Sequence, residues 1–259
     1  MNVLLDITAR PVVAHRGGRA RGPENTLEAM RLGVAAGADA IELDVHCCGS
    51  GDVVVIHDAT VDRTTDGCGA VGEMTLADLR SLDAGCRFAP GRGARSGGTA
   101  RIPTLSEVFE EFPDTAIIIE LKTRAASAAT LALIERHGAK DRCIVDSFYA
   151  DALEIFRGSG VARGPSRAGV ARLIARSSLG IPPRVDFDLV CIPRRYRGLP
   201  LPVARIARVL RSENKPTHIW TVNDPAEAVE LWRLGVSGII TDDVPAIVSA
   251  REAGRNPDR

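Results

Sequence analysis

The sequence contains no long hydrophobic run. Its longest apolar runs, Val53–Ile56 and Ala116–Ile119, are far shorter than the roughly 20 residues that cross a bilayer as a helix. The first ten residues carry neither the apolar segment nor the cationic start that is typical of a secretory signal. We therefore expect a cytoplasmic protein with no stable membrane insertion.

Paired cysteine motifs and an excess of charge of one sign are also missing. None of the six cysteines has CxxC spacing, so we expect free thiols in a reducing compartment rather than a disulfide framework. The 33 basic residues balance the 33 acidic ones, which gives no argument for a nucleic-acid partner.

What the sequence does contain is a regular alternation of short β-rich runs and helix-patterned segments. The 259 residues show no internal repeat and no linker, so we predict one domain over residues 1–259. Eight strands are predicted: Pro11–His15, Ala38–His46, Ala116–Lys122, Arg142–Ser147, Val161–Arg163, Phe187–Ile192, Thr217–Val222 and Gly238–Thr241. Seven helices are predicted between and after them: Thr26–Ala36, Ser127–Arg136, Ala150–Arg157, Ala168–Arg176, Val203–Arg211, Ala226–Leu234 and Val244–Ala250. Repeated β/α units in a chain of this length predict an α/β fold of the (β/α)₈ TIM-barrel type.

One segment interrupts the alternation. Val53–His57 is a further β-rich run, and only Gly49–Asp52 separates it from the second strand, which predicts an antiparallel hairpin. Residues 58–104 then form a small insertion before the third strand. Within it, Arg87–Arg101 is rich in Gly and Arg and is predicted to be a mobile loop.

Carboxylates interrupt two of the apolar strands. Within residues 41–45 the apolar side chains lie on one face and Glu42 and Asp44 on the other, because strand side chains alternate. The same pattern places Glu120 and Lys122 together, opposite the apolar residues of their strand. Three carboxylates converging at the barrel mouth favour a divalent ion, and all-oxygen ligands favour Mg²⁺ or Ca²⁺ over Zn²⁺.

The hairpin predicts the position of one histidine. If the turn is centred between Ser50 and Gly51, paired residue numbers sum to 101 and Asp44 lies opposite His57. His15 ends the first strand and approaches the same carboxylates. Two histidines at one site can accept and donate protons near neutral pH.

The chain resembles the glycerophosphodiester phosphodiesterase family. The resemblance spans nearly the whole chain and rests on short motifs in order along it: His15-Arg16-Gly17, Pro23-Glu24-Asn25-Thr26, Glu42-Leu43-Asp44-Val45, Ile56-His57-Asp58, Asp62-Arg63-Thr64-Thr65, Ile102-Pro103-Thr104-Leu105, Glu120-Leu121-Lys122, Trp220-Thr221-Val222-Asn223 and Gly238-Ile239-Ile240-Thr241-Asp242. It implies a metal-dependent enzyme that cleaves glycerophosphodiesters, as small-molecule substrates, to glycerol 3-phosphate and an alcohol. The chain departs from the family at two places, where Cys47-Cys48-Gly49-Ser50 forms the turn and Asp146-Ser147-Phe148 ends a strand.

Site roles follow from the matched motifs. The resemblance implies that His15 and His57 are the catalytic acid–base pair, and that Glu42, Asp44 and Glu120 bind one Mg²⁺ or Ca²⁺ ion. It implies that Arg16 and Lys122 bind the phosphate, and Trp220 is expected either to wall the substrate pocket or to pack in the barrel.

Several alternatives stay open in the sequence. Lys122, one of only three lysines among 33 basic residues, contacts either the phosphate or only a neighbouring carboxylate. Asn25 either orients a ligand or caps the helix that starts at Thr26, and Asp242 is expected to cap the last strand-to-helix turn. His46, His137 and His218 are expected to be structural or exposed.

Three other functions are compatible with a barrel of this kind. They are a lysophospholipase D-type enzyme, which requires an apolar strip at the barrel mouth, a non-catalytic phosphate-binding barrel and an unrelated barrel hydrolase. The Gly/Arg-rich segment supplies no such strip. The alcohol, the ion, the role of each histidine, the nucleophile and the oligomeric state are not fixed by the sequence.

Overall fold

A computed structural model describes residues 2–89, 99–182 and 184–255. Within them eleven strands occur: β1 Val12–Ala14, β2 Ala40–Cys47, β3 Val53–Val55, β4 Ala116–Leu121, β5 Cys143–Asp146, β6 Ala162–Arg163, β7 Val190–Pro193, β8 Arg195–Tyr196, β9 Leu199–Pro200, β10 Thr217–Trp220 and β11 Gly238–Thr241. The α-helices of this part of the chain are α1 Leu27–Ala35, α2 Leu76–Ser81, α3 Leu105–Glu111, α4 Ser127–Arg136, α5 Ala150–Leu153, α6 Arg167–Ser178, α7 Val203–Ser212, α8 Pro225–Arg233 and α9 Val244–Arg255.

Eight of the strands form a parallel barrel sheet in the order β6-β5-β4-β2-β1-β11-β10-β7. The first and last barrel strands pair with each other, since Ala14 of β1 lies opposite Thr241 of β11. At the remaining gap, between β6 and β7, the Asp188 N–H donates to the Arg163 carbonyl at 2.9 Å. The predicted (β/α)₈ fold is confirmed, and each of the eight predicted strands has a counterpart.

The barrel separates two apolar regions. Outward-facing residues of β2 and β4, among them Leu43 and Ile119, pack beneath the helices and are fully buried. A smaller inner cluster, including Val13, Ile118 and Ile240, fills the barrel below the mouth and is closed by Leu4. The polar residues of the same strands are therefore placed at the carboxyl-terminal mouth, as the alternation of side chains predicts.

The hairpin after β2 has a different register from the predicted one. Val45 pairs with Val55 and Cys47 with Val53, so paired numbers sum to 100 and the predicted pairing of Asp44 with His57 is wrong. The physical reason is a five-residue turn centred on Ser50, in which the Cys48 N–H donates to the Asp52 carbonyl at 2.9 Å.

Three elements were not predicted: α2 in the insertion, α3 after it, and the small β8–β9 hairpin. The helix α3 begins with a capping box, in which Thr104 and Glu107 bond reciprocally to each other's backbone N–H groups. It supplies the helix of the second β/α unit. Of the loop predicted over Arg87–Arg101, residues 90–98 lie outside the described residues. No helix in the described ranges is long and apolar enough to cross a membrane.

Candidate active site

The three predicted metal-binding carboxylates meet at the barrel mouth. Glu42 and Asp44 come from β2 and Glu120 from the neighbouring β4, where it lies opposite Asp44. One ligand oxygen from each lies within 4.8 Å of the others. An ion that binds oxygen at 2.0–2.6 Å fits among them, because its ligands are then no more than about 5 Å apart. The donor set is therefore suited to a hard divalent cation.

Two cations partly neutralise this cluster. Lys122 Nζ lies 2.7 Å from Asp44 Oδ1 and 2.7 Å from Glu120 Oε1. Arg16 Nε lies 3.3 Å from Asp44 Oδ2, and its backbone N–H donates to Glu42 Oε2 at 2.9 Å. Burial alone would raise the pKa of Asp44, but the Lys122 and Arg16 charges outweigh it and lower that pKa. Glu42, by contrast, has its pKa raised to about 7 by burial and by the Asp44 charge.

His15 is held from behind by an aspartate of the last strand. It begins a short 3₁₀ turn after β1, and its Nδ1 lies 2.6 Å from Asp242 Oδ1. Its Nε2 lies 3.9 Å from Glu42 Oε2. Burial disfavours the charged ring, but the Asp242 hydrogen bond and the Glu42 charge prevail and raise the pKa of His15. Asp242 was predicted to cap a turn. Its carboxylate instead contacts His15 and accepts hydrogen bonds from Arg19 and Asn223.

His57 reaches the site from the end of the hairpin, just past the last paired residue of β3. Its Nδ1 lies 2.5 Å from Asp58 Oδ1. Its backbone carbonyl lies 3.2 Å from His46 Nε2, which gives His46 a specific partner that the sequence did not indicate. Burial lowers the pKa of His57, and Lys122 acts in the same direction against the opposing charge of Asp44.

One cavity joins these groups. All the predicted site residues except Asp44 line it: His15, Arg16, Glu42, His57, Glu120, Lys122 and Trp220. Asp44 is 1% exposed and lies beneath. Trp220 faces Phe148 edge-on, with ring centroids 6.4 Å apart, so its ring borders the cavity as a wall.

Arg16 is positioned by a second acidic residue. Its Nη1 donates to Glu24 Oε1 at 2.8 Å, and Arg63 donates to both Glu24 oxygens. Arg63 also donates to Asp58, so the two histidine-bearing loops are linked through one network.

Two further polar residues belong to the site: Asn25, which the sequence left between orienting a ligand and capping α1, and Asp146, which the sequence reasoning missed. Asn25 does not cap α1, because Thr26 does so by accepting from the Ala29 N–H. The Asn25 amide instead donates to Asp44 Oδ2 at 2.9 Å and accepts from the Asp44 N–H at 3.2 Å. Asp146 lies opposite Glu120 and lines the cavity. Burial and the Glu120 charge raise the pKa of Asp146 to about 7.

Comparison with known proteins identifies what the chain is similar to. Residues 15–246 match the model of the glycerophosphoryl diester phosphodiesterase family. A glycerophosphodiester phosphodiesterase of Caldanaerobacter subterraneus is 30% identical over 253 residues, covering 94% of this chain and 98% of the relative. One from Bacillus subtilis is 29% identical over 245 residues, covering 89% and 82%. A solved Oleispira antarctica phosphodiesterase, in complex with the product sn-glycerol-3-phosphate, superposes with a TM-score of 0.76 at 27% identity, covering 93% of this chain and 96% of that one.

Proposed function

This chain belongs to the glycerophosphoryl diester phosphodiesterase family, and we propose that its barrel mouth hydrolyses glycerophosphodiesters to glycerol 3-phosphate and an alcohol. One observation carries the proposal. Two histidines and two cations line a single cavity beside a three-carboxylate cluster, in a chain matched to the family from residue 15 to residue 246. We place the enzyme in the cytoplasm, which rests on the six cysteines without CxxC spacing.

Glu42, Asp44 and Glu120 would hold one divalent cation, Mg²⁺ or Ca²⁺. Support comes from the clustering of their oxygens and from the hard, all-oxygen donor set. When bound, such an ion supplies positive charge that stabilises the negative charge developing on the phosphate. Asn25 keeps Asp44 in place by bonding to both its side chain and its backbone.

Arg16 and Lys122 would bind the phosphate. A phosphodiester is monoanionic and gains negative charge when attacked, so fixed cations at the cavity stabilise the transition state more than the substrate. Both side chains line the cavity, and each already contacts a carboxylate. Trp220 forms the wall against which the substrate lies.

His15 and His57 would divide the proton transfers. One removes a proton from the nucleophile and the other gives a proton to the departing alkoxide, which leaves as the alcohol. Asp242 and Asp58 each fix one ring through Nδ1, so that Nε2 is presented to the substrate. Water or the neighbouring glycerol hydroxyl, through a cyclic phosphate, both fit this arrangement as the nucleophile.

Activity on a small panel of substrates tests the proposal. Glycerophosphocholine, glycerophosphoethanolamine and glycerophosphoinositol are each incubated with Mg²⁺, Ca²⁺ or chelator, and glycerol 3-phosphate is assayed. We expect release from at least one substrate with one of the ions and none with chelator. Absence of glycerol 3-phosphate from all three substrates with either ion would overturn the proposed function.

A further inference from the structure

A second, largely apolar pocket adjoins the catalytic cavity. It lies between β7, α6 and the segment that follows β9, and it encloses about 690 Å³ with its open mouth included. Glu120, Asp146, Phe148, Cys191 and Trp220 line both spaces, so the pocket opens directly onto the proposed phosphate site. A group attached to a phosphate in the cavity could therefore extend into it.

The apolar lining comes from parts of the chain distant in sequence. Val170, Ala171 and Ile174 of α6 line the pocket, and Leu173 beside them is 3% exposed and belongs to the core. Ile192 of β7 and Leu201 after β9 face them across the pocket. Val170 and Ile174 also pack against the core cluster that contains Leu173, so the apolar stripe of α6 continues from the core to the pocket.

The lining of the pocket favours a hydrocarbon chain over a cationic head group as its occupant. Three aromatic rings, of Phe148, Tyr196 and Trp220, could in principle receive a quaternary ammonium group. However, the Arg167 guanidinium also lines the pocket and already lies 5.1 Å above the Phe148 ring. That guanidinium already occupies the ring face that a choline group would take. The two carboxylates of the lining, Glu120 and Asp146, are shared with the catalytic cavity, so the lining that belongs to the pocket alone is mainly apolar and suits a hydrocarbon chain.

We infer that this pocket binds an apolar chain of the substrate and gives the enzyme a preference for phosphodiesters that carry one. The inference rests on the proposed function, because it places the phosphate in the adjoining cavity. The chain could belong to the leaving alcohol or be an acyl ester on the glycerol. The two sources share the same hydrocarbon chemistry.

Two substrate series distinguish the sources. The first is glycerophosphoethanol, -butanol, -hexanol and -octanol, and the second compares glycerophosphocholine with its hexanoyl and octanoyl lysophosphatidylcholines, all below their micellar concentrations. We expect kcat/KM to rise by about threefold per methylene in one series until the pocket is filled, as burial of a methylene group allows. The series that shows the rise identifies which substituent occupies the pocket.

A pair of alanine substitutions on one helix localises the effect. Ala171 lines the pocket and Ala175 does not, and both are exposed positions of α6 that tolerate a larger side chain. In Ala171→Phe the ratio of kcat/KM for the longest to the shortest member of the responding series should fall at least tenfold. In Ala175→Phe that ratio should equal the wild-type ratio.

Binding of n-octyl phosphate and ethyl phosphate, measured by calorimetry, tests the pocket independently of turnover. The wild type should bind octyl phosphate at least tenfold more tightly than ethyl phosphate, and Ala171→Phe should abolish this difference in affinity. Equal affinities overturn the inference. The inference is also overturned if kcat/KM does not depend on chain length, or if glycerophosphocholine is preferred over the alkyl esters. In either case, release of glycerol 3-phosphate still supports the proposed function. Chain-dependent binding without hydrolysis of any phosphodiester would support the pocket and refute the proposed function.

Discussion

His15 Nδ1 lies 2.6 Å from Asp242 Oδ1, although the two residues are 227 positions apart. The contact exists because β1 and β11 are neighbours in the closed barrel and end at the same level. Arg19 and Asn223 donate to the same carboxylate, and although burial opposes it, these contacts and His15 lower the pKa of Asp242 to about 2. Asp242 is therefore ionised and orients the imidazole for proton transfer.

Asp242→Asn should lower kcat by about tenfold or more, because the amide keeps the shape of the contact but removes its charge. Since Asp242 raises the pKa of His15, that pKa should fall in the variant. One limb of the pH profile of kcat/KM should then move to lower pH: the alkaline limb if His15 is the acid, the acidic limb if it is the base. Asp243→Asn, at the adjacent residue, is the matched control. An unchanged profile would remove the orienting role.

His15→Ala and His57→Ala should each lower kcat by more than about 100-fold, which is the usual scale for one proton-transfer group. The nitrophenolate of a nitrophenyl phosphodiester leaves without protonation. This substrate should therefore restore the activity of the variant that lacks the acid and not of the one that lacks the base. His137→Ala, at a histidine outside the cavity, should behave as wild type. Equal rescue of both site variants, or rescue of neither, would leave the division of roles unsupported.

Lys122 is the residue at which the structure shows a competing role most clearly, since its ammonium group contacts Asp44 and Glu120. If it also binds phosphate, Lys122→Met should lower kcat/KM about 100-fold at saturating metal without weakening metal affinity. Lys140→Met, which removes an ion pair with Glu135 elsewhere, is the control. If the Lys122→Met variant recovers full turnover at saturating metal, Lys122 does not bind the phosphate and only forms its salt bridges.

His218 should make the fold sensitive to acid. Its Nε2 donates to the Leu4 carbonyl inside the barrel, and burial lowers the pKa of His218 from 6.5 to about 4. Below pH 6.5 the unfolded chain takes up a proton that the folded chain excludes until about pH 4, so stability falls as pH falls through that window. From pH 7.5 to pH 5 the loss should be about 2 kcal/mol.

Urea unfolding at the two pH values measures this loss. His218→Gln, which retains a donor for Leu4, should remove most of it, and His137→Gln should not. An equal pH dependence in wild type and His218→Gln would contradict the assignment.

The barrel and the convergence of its carboxylates could be predicted from the sequence because both follow local rules. Strands buried on both faces read as Val/Ile runs, and alternation then places Glu42, Asp44 and Glu120 away from the helices. The β2–β3 register could not be predicted, since a four-residue turn over Gly49–Asp52 and a five-residue turn that also includes Cys48 are both compatible with the sequence. A shift of one residue changes every pairing.

The partners of the site residues were harder to foresee. Asp242 looked like a turn cap because its contact with His15 depends on closure of the whole barrel. Asn25 and Thr26 are both good caps, and only the folded position of Asp44 decides between them. The apolar pocket combines α6, β7 and the segment after the unpredicted β8–β9 hairpin, in the region where the sequence pattern is weakest.

Metal dependence of glycerol 3-phosphate release tests the central claim most directly. After exhaustive chelation, activity should be lost and should return with Mg²⁺ or Ca²⁺. Glu42→Gln, Asp44→Asn and Glu120→Gln should each weaken both calorimetric metal binding and turnover, and Asp114→Asn, at an exposed carboxylate, should leave both intact. Full activity in the chelated enzyme, or unaltered metal binding in all three carboxylate variants, would contradict the account.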